Sequence, residues 1–317
     1  LDTIHNIQYQ GKYGMEILED DLGIPYSMRS IVEYDGCINL MKGAIETANK
    51  VNTVSPTYAR EILDPWYSYG LEGILRERAW KISGILNGID VENYNPATDP
   101  QIFFNYTIET QQEGKRENKQ QLQERLGLQK DSSVPMVGMV SRLVDQKGLD
   151  LVRAVADRLM SETNMQVVVL GTGGWVYEEF FREMQGKYPG RFCAYIGFVP
   201  ELSRKIYAGS DLFLMPSKSE PCGLSQMIAL RYGSIPIVRA TGGLKDSVRD
   251  AGDGEGNGFV FQNYDAEDMY DAICRALKSF TSHDEWPELV SRAMLCDNSW
   301  ERSASDYIKL YREMLKE

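Results

Sequence analysis

Between Met136 and Phe261 short apolar runs alternate with segments of helical periodicity, and no other feature restricts the fold of this chain so sharply. Pro135-Met136-Val137-Gly138-Met139-Val140 reads as a buried strand, and Gly148 to Ser161, apolar at 151, 152, 155, 156 and 159, as a helix. A second strand, Gln166 to Leu170, runs into Gly171-Thr172-Gly173-Gly174 and a helix around Tyr177 to Met184. Phe192 to Ile196, a short helix near Leu202 to Ala208, and the strand Asp211 to Met215 follow. A helix from Gly223 to Tyr232 and strands at Ile235 to Val238 and Phe259 to Phe261 complete the series. Strands that alternate with helices in this way build a parallel sheet covered on both faces, so the fold class is α/β. Ligands of such sheets bind beyond the carboxyl ends of the strands, which makes the post-strand loops the place to look for chemistry.

The remainder of the chain is less regular. A helix near Ile38 to Ala48 leads into a strand at Val51 to Val54, and Ser55-Pro56 supplies an N-cap with proline at the first helical position. Lys81 to Leu86 reads as a strand ended by Asn87-Gly88-Ile89-Asp90, and Asn93 to Gly114 as a loop or domain connection. Trp300 to Leu315 reads as a separate helix with Tyr307, Ile308, Tyr311 and Met314 along one side.

Bulk properties exclude several classes of function. A chain of 317 residues suffices for two domains. Its formal net charge of −12 opposes nucleic-acid and anionic-membrane partners, and no apolar run is long enough to cross a bilayer. Five scattered cysteines without C-x-x-C spacing point to a reducing compartment rather than to disulfides or structural zinc. With two histidines, His5 and His283, a His-rich metal site cannot be assembled, and no metal is expected.

Four segments could carry chemistry. Ser141-Arg142-Leu143-Val144-Asp145-Gln146-Lys147-Gly148 lies after a strand and before a helix, where Arg142 and Lys147 either bracket a diphosphate or are solvated loop charges. Ser217 to Ser225 occupies the equivalent place after a later strand, with Pro221 and Gly223 near a helix start whose free N–H groups suit an anion. Glu220 in front of such a cradle would repel phosphate. It makes sense as an acceptor for a neighbouring sugar's hydroxyls, or as a capping carboxylate, and Cys222 taken alone reads as a small buried filler. Thr241-Gly242-Gly243-Leu244 either brings backbone close to a ligand or makes a turn. Gly171-Thr172-Gly173-Gly174 lacks the full dinucleotide fingerprint because position 176 is valine. His5-Asn6, at the end of an apparent strand, is the fourth segment, and taken by itself a lone histidine there is more often structural than functional.

Taken in order, these segments resemble the bacterial glycogen synthase and plant starch synthase family. Thr3 to Gly11 resembles its T-I-H-N-x-x-Y-Q-G stretch, Val51 to Tyr58 its V-x-T-V-S-P-x-Y, and Gly84 to Asp90 its G-I-x-N-G-x-D. Tyr94-Asn95-Pro96 stands where the family has W-x-P. Ser141 to Gly148 matches S-R-L-x-x-Q-K-G, Glu220 to Gly233 matches E-P-C-G-L-x-Q-x-x-A-L-R-Y-G, and Thr241 to Val248 matches T-G-G-L-x-D-x-V. Position 228 is isoleucine where many retaining transferases carry a second glutamate, a departure that the glycogen synthase pattern shares.

The resemblance implies a GT-B architecture of two Rossmann-like domains. Residues 1–90 would be the later part of the acceptor-side domain, 91–299 the nucleotide-sugar domain, and 300–317 a helix returning to the first. It implies transfer of glucose from ADP-glucose to an α-1,4-glucan with retention of configuration, in the cytoplasm or, for a plant protein, the plastid stroma. Arg142 and Lys147 would neutralise the leaving diphosphate, Phe198 would stack on adenine, and Gly223, Leu224 and Ser225 would donate to phosphate. Glu220, Asn87 and His5 would hold glucosyl hydroxyls, and Cys222 would line the sugar pocket. The family's Lys-x-Gly-Gly-Leu loop is not found before His5, so the chain is expected to be a fragment with little activity alone. The competing expectations are an inactive glucan-binding module and a transferase of another nucleotide sugar.

Overall fold

The computed structural model describes residues 1–316 and divides into a unit of Leu1–Asn87 with Glu301–Glu317 and a unit of Gly88–Trp300. In the first unit the strands are β1 (Asp2–Ile4), β2 (Lys12–Tyr13), β3 (Glu33–Tyr34), β4 (Cys37–Asn39), β5 (Val51–Thr53) and β6 (Ile82–Gly84). They form a parallel sheet β1-β5-β6 and a small antiparallel sheet β2-β4-β3. Ile38 lies in β4, not in the helix expected from that position. The Asn39 side chain accepts from the Lys42 N–H at 3.0 Å and starts the helix Leu40–Thr47 one residue later. Ser55 caps the helix Pro56–Glu61, accepting from the Tyr58 N–H at 2.9 Å, with Pro56 at its start. Ile4, Ile7, Ile45, Val51, Tyr58, Ile62, Leu71 and Leu75 make the core of this unit.

The helix Trp300–Met314 buries Ser303 and Leu310, and Tyr307 accepts a hydrogen bond from Asn52 at 3.1 Å. Ile308 and Tyr311 are exposed, contrary to the apolar side expected from sequence. The covered face runs 303–307–310–314, at helical spacing, and positions 308 and 311 fall off it.

The second unit carries β7 (Met136–Val140), β8 (Gln166–Gly171), β9 (Phe192–Ile196), β10 (Leu212–Met215), β11 (Ile235–Arg239) and β12 (Phe259–Phe261). All are parallel, in the order β12-β11-β10-β7-β8-β9. The chain lays down β7, β8 and β9 in one direction, then returns to the other side of β7 for β10. The strand order therefore reverses between β7 and β10, and a crevice opens at their carboxyl ends.

The loop expected to run to Gly114 ends at Thr110, and Gln111–Leu126 is a helix. Its buried face is polar. Lys119 pairs with Asp211 at 2.6 Å, Gln123 donates to Gln166 at 2.8 Å, and Asn118 accepts from the N–H of Phe103 at 3.0 Å. Among the described residues no helix is long and apolar enough to cross a membrane, and no cluster of three or more His, Cys, Asp or Glu side chains could hold a metal ion.

Candidate functional site

The two loops that leave β7 and β10 meet at the switch point. After β7 the chain makes the turn Asp145–Lys147, and Gly148, at φ +70°, leads into the helix Leu149–Glu162. A Cβ on Gly148 would come within 2.0 Å of the Pro216 carbonyl oxygen, so only glycine lets the β10 loop lie so close. The Lys218 N–H donates to the Gln146 carbonyl at 2.9 Å and ties the loops together. Across this junction the Lys147 ammonium donates to Glu220 Oε2 at 2.6 Å, and the Ser217 hydroxyl donates to the same oxygen at 3.0 Å.

Beside the ion pair lies a cavity of about 170 Å³ lined by Val140, Ser141, Arg142, Lys147, Ser217 and Ser225, among others. That is small against the ~300–1,000 Å³ of pockets that enclose whole ligands and suits the phosphate end of one. Arg142 is exposed, and among the described residues it makes no ion pair. Glu220 is 7% exposed.

Gly223, Leu224 and Ser225 open the helix Ser225–Arg231, whose first N–H groups have no acceptor within the helix. Gln226 fixes this turn from below, donating to the carbonyls of Cys222 at 3.1 Å and Gly223 at 2.9 Å. Cys222 is buried, and Tyr207, whose hydroxyl is held up in pKa by burial, bonds the Ser225 side chain. The glycines of Thr241-Gly242-Gly243 approach protein backbone. The Gly243 N–H donates to the Glu220 carbonyl at 3.1 Å, and a Cβ on Gly242 would meet that same oxygen at 1.9 Å. They shape the Glu220 loop from outside.

Phe198 follows β9 at the same carboxyl edge and is 87% exposed. His5 and Asn87 belong to the other unit, just past β1 and β6 of its parallel sheet, His5 exposed and Asn87 half-buried. The expected residues Arg142, Lys147, Glu220, Cys222, Gly223, Leu224 and Ser225 thus converge on one junction within the second unit. Two residues there were not singled out by sequence. Arg239, the last residue of β11, donates to the Ser217 carbonyl at 2.9 Å and to that of Lys218. Tyr264, beyond β12, donates to Asp150 at the start of the helix after Gly148. A cation at a strand's carboxyl end was the available signal for Arg239.

The family model "Glycosyl transferases group 1" matches residues 120–288, more than half of the chain. The chain belongs to this family. The model "Starch synthase catalytic domain" matches residues 1–77 of the chain. Curated relatives include the glycogen synthase of Geobacillus thermodenitrificans (strain NG80-2), 50% identical over 99% of this chain and 65% of the relative. That of Geobacillus stearothermophilus is 49% identical over the same shares. Among solved structures, the catalytic domain of starch synthase IV from Arabidopsis thaliana bound to ADP and acarbose superposes with a TM-score of 0.89. It is 38% identical and covers 99% of this chain and 66% of that one. The chain therefore has the α/β fold of the GT-B class, and it spans about two-thirds of the length of these relatives.

Proposed function

We propose that the protein to which this chain belongs is a glycogen or starch synthase, transferring glucose from ADP-glucose to the non-reducing end of an α-1,4-glucan. The carrying observation is the Lys147–Glu220 ion pair beside the Arg142-lined cavity, at the point where the strand order reverses. Cleaving a glycosyl–diphosphate bond creates positive charge at the anomeric carbon and extra negative charge on the departing phosphate. Fixed cations at the phosphate and an acceptor at the sugar lower that barrier. An ammonium has three donors. Glu220 takes one from Lys147, and the others can turn to phosphate oxygens together with Arg142 and the N–H groups of Gly223, Leu224 and Ser225. Glu220, held in place by Lys147 and Ser217, accepts from the glucosyl hydroxyls, and Cys222 lines that pocket.

Phe198 stacks on the adenine, and for His5 and Asn87 the assignment to sugar hydroxyls rests on the resemblance alone. We assign no metal, because Arg142 and Lys147 supply the charge that the leaving group needs. Retention then proceeds by attack of the acceptor 4-hydroxyl on the face the diphosphate leaves, without the closely spaced carboxylate pair of a double displacement. The glycogen synthases named above are bacterial, and we place the protein in the cytoplasm.

The test is glucan extension with a panel of nucleotide glucoses, run on this chain and on a chain completed to the relatives' length. The completed chain is expected to use ADP-glucose, with little transfer by the shorter one. Glucan affinity with no affinity for ADP would overturn the reading in favour of a binding module, and preference for another donor would overturn the choice of base.

A further inference from the structure

Lys147 and Glu220 come from different loops, and their 2.6 Å contact exists only if those loops keep a fixed spacing. The spacing is set at one peptide group. The N–H between Ser217 and Lys218 donates to the Gln146 carbonyl at 2.9 Å, gripping the peptide from the Lys147 side. The carbonyl of that peptide, Ser217 O, accepts from Arg239 Nε at 2.9 Å, gripping it from the opposite side. A second Arg239 nitrogen donates to the next carbonyl, that of Lys218. The side chain of the gripped Ser217 in turn holds Glu220 Oε2 at 3.0 Å. The guanidinium carbon lies 5.6 Å from the centre of the Tyr264 ring, with the Lys218 ammonium 5.8 Å from the same ring. Tyr264 itself reaches Asp150, two residues beyond Gly148, so the brace ends on the helix that carries the Lys147 loop.

We propose that Arg239 is a positioning residue for glucosyl transfer: its planar fork fixes two consecutive carbonyls and thereby sets the separation of Lys147 and Glu220. It is 6% exposed and lies behind the loop, so it acts through Ser217 and Lys218. A lysine keeps the charge but cannot hold both carbonyls in one rigid plane. The inference deepens the proposed function and rests on it for its kinetic readout. Small displacements of a catalytic group away from the reacting atoms cost ~100-fold in rate, so the loss belongs in kcat.

The experiment compares wild type, Arg239→Ala and Arg239→Lys with Arg204→Ala, which breaks a buried pair with Asp99 elsewhere in the same unit. Transfer from ADP-glucose is measured in the chain completed to its relatives' length, well below each melting temperature. Amide hydrogen exchange over residues 217–223 is measured alongside. Arg239→Ala is expected to lower kcat roughly 30- to 100-fold with KM within about threefold. Its 217–223 amides should exchange faster, Arg239→Lys should recover part of both, and Arg204→Ala should change neither. Wild-type kcat and exchange in Arg239→Ala, or equal kcat losses in Arg239→Ala and Arg204→Ala, would overturn the inference. If wild type transfers no glucose from ADP-glucose, the proposed function fails by itself. Exchange then still judges the clamp, faster in Arg239→Ala supporting it and unchanged refuting it.

Discussion

The Lys147 ammonium sits 2.6 Å from Glu220 Oε2, so the cation assigned to a leaving phosphate and the carboxylate assigned to a sugar are partners of one another. This answers why a carboxylate stands in front of an anion cradle: its charge is balanced before any ligand arrives. The side chains are 17% and 9% exposed, and removing one partner leaves the other largely desolvated and unpaired. Lys147→Met and Glu220→Gln should each cost about 1–3 kcal/mol of stability, and the double variant should lose less than the sum. Denaturant melts of the four proteins give the coupling energy. Strict additivity would mean that the pair contributes nothing.

Phe198 makes a prediction of the opposite kind. At 87% exposed it supports no core, so Phe198→Ala should leave the melting temperature unchanged. Loss of an aromatic–base stack costs about 1–3 kcal/mol, so ADP binding should weaken about 5- to 150-fold. Calorimetric titration of ADP into both proteins checks this, and equal affinities would remove Phe198 from the site.

Gly148 combines a left-handed φ of +70° with a carbonyl oxygen 2.0 Å from where a Cβ would stand. Gly148→Ala should therefore destabilise the second unit by ~2 kcal/mol or more and separate the loops that hold Lys147 and Glu220. Melting and ADP titration should fall together.

Lys115 gives stability a pH dependence. Burial pushes its pKa down to about 7, while its ammonium donates to the carbonyls of Ala208, Ser210 and Tyr232. An unfolded lysine titrates near ~10.4, so between about 7 and 10 the unfolded chain binds more protons than the folded one. Stability attributable to this group therefore rises with pH over that window, by at most ~1.4 kcal/mol per unit, and is flat below it. The difference in unfolding free energy between wild type and Lys115→Met, followed from pH 6 to pH 9, should grow in favour of wild type above pH 7. A pH-independent difference would contradict this.

The second sheet was legible because its strands are continuous apolar runs. Phe192–Ile196 and Phe259–Phe261 fall where the sequence places them, and Met136–Val140 differs by one residue. The helix Gln111–Leu126 was not legible, because Lys115, Asn118, Lys119 and Gln123 are buried by hydrogen bonds that apolar periodicity does not register. Antiparallel strands of two or three residues, such as Lys12–Tyr13, are too short to show alternation. Within the site, the Ser141–Gly148 and Ser217–Ser225 segments announce themselves by their charges and glycines beside strand ends. The Lys147–Glu220 bond joins positions 73 residues apart, and Arg239 works through backbone carbonyls that carry no sequence signal.

The most direct measurement is the affinity for ADP of wild type against Arg142→Ala/Lys147→Met, by calorimetry at a temperature where both are folded. Two charge-assisted contacts at ~1.5–3 kcal/mol each make a loss of 100-fold or more the expected result. Equal binding by the two proteins would show that the phosphates sit elsewhere and that the β7–β10 junction is not the donor site.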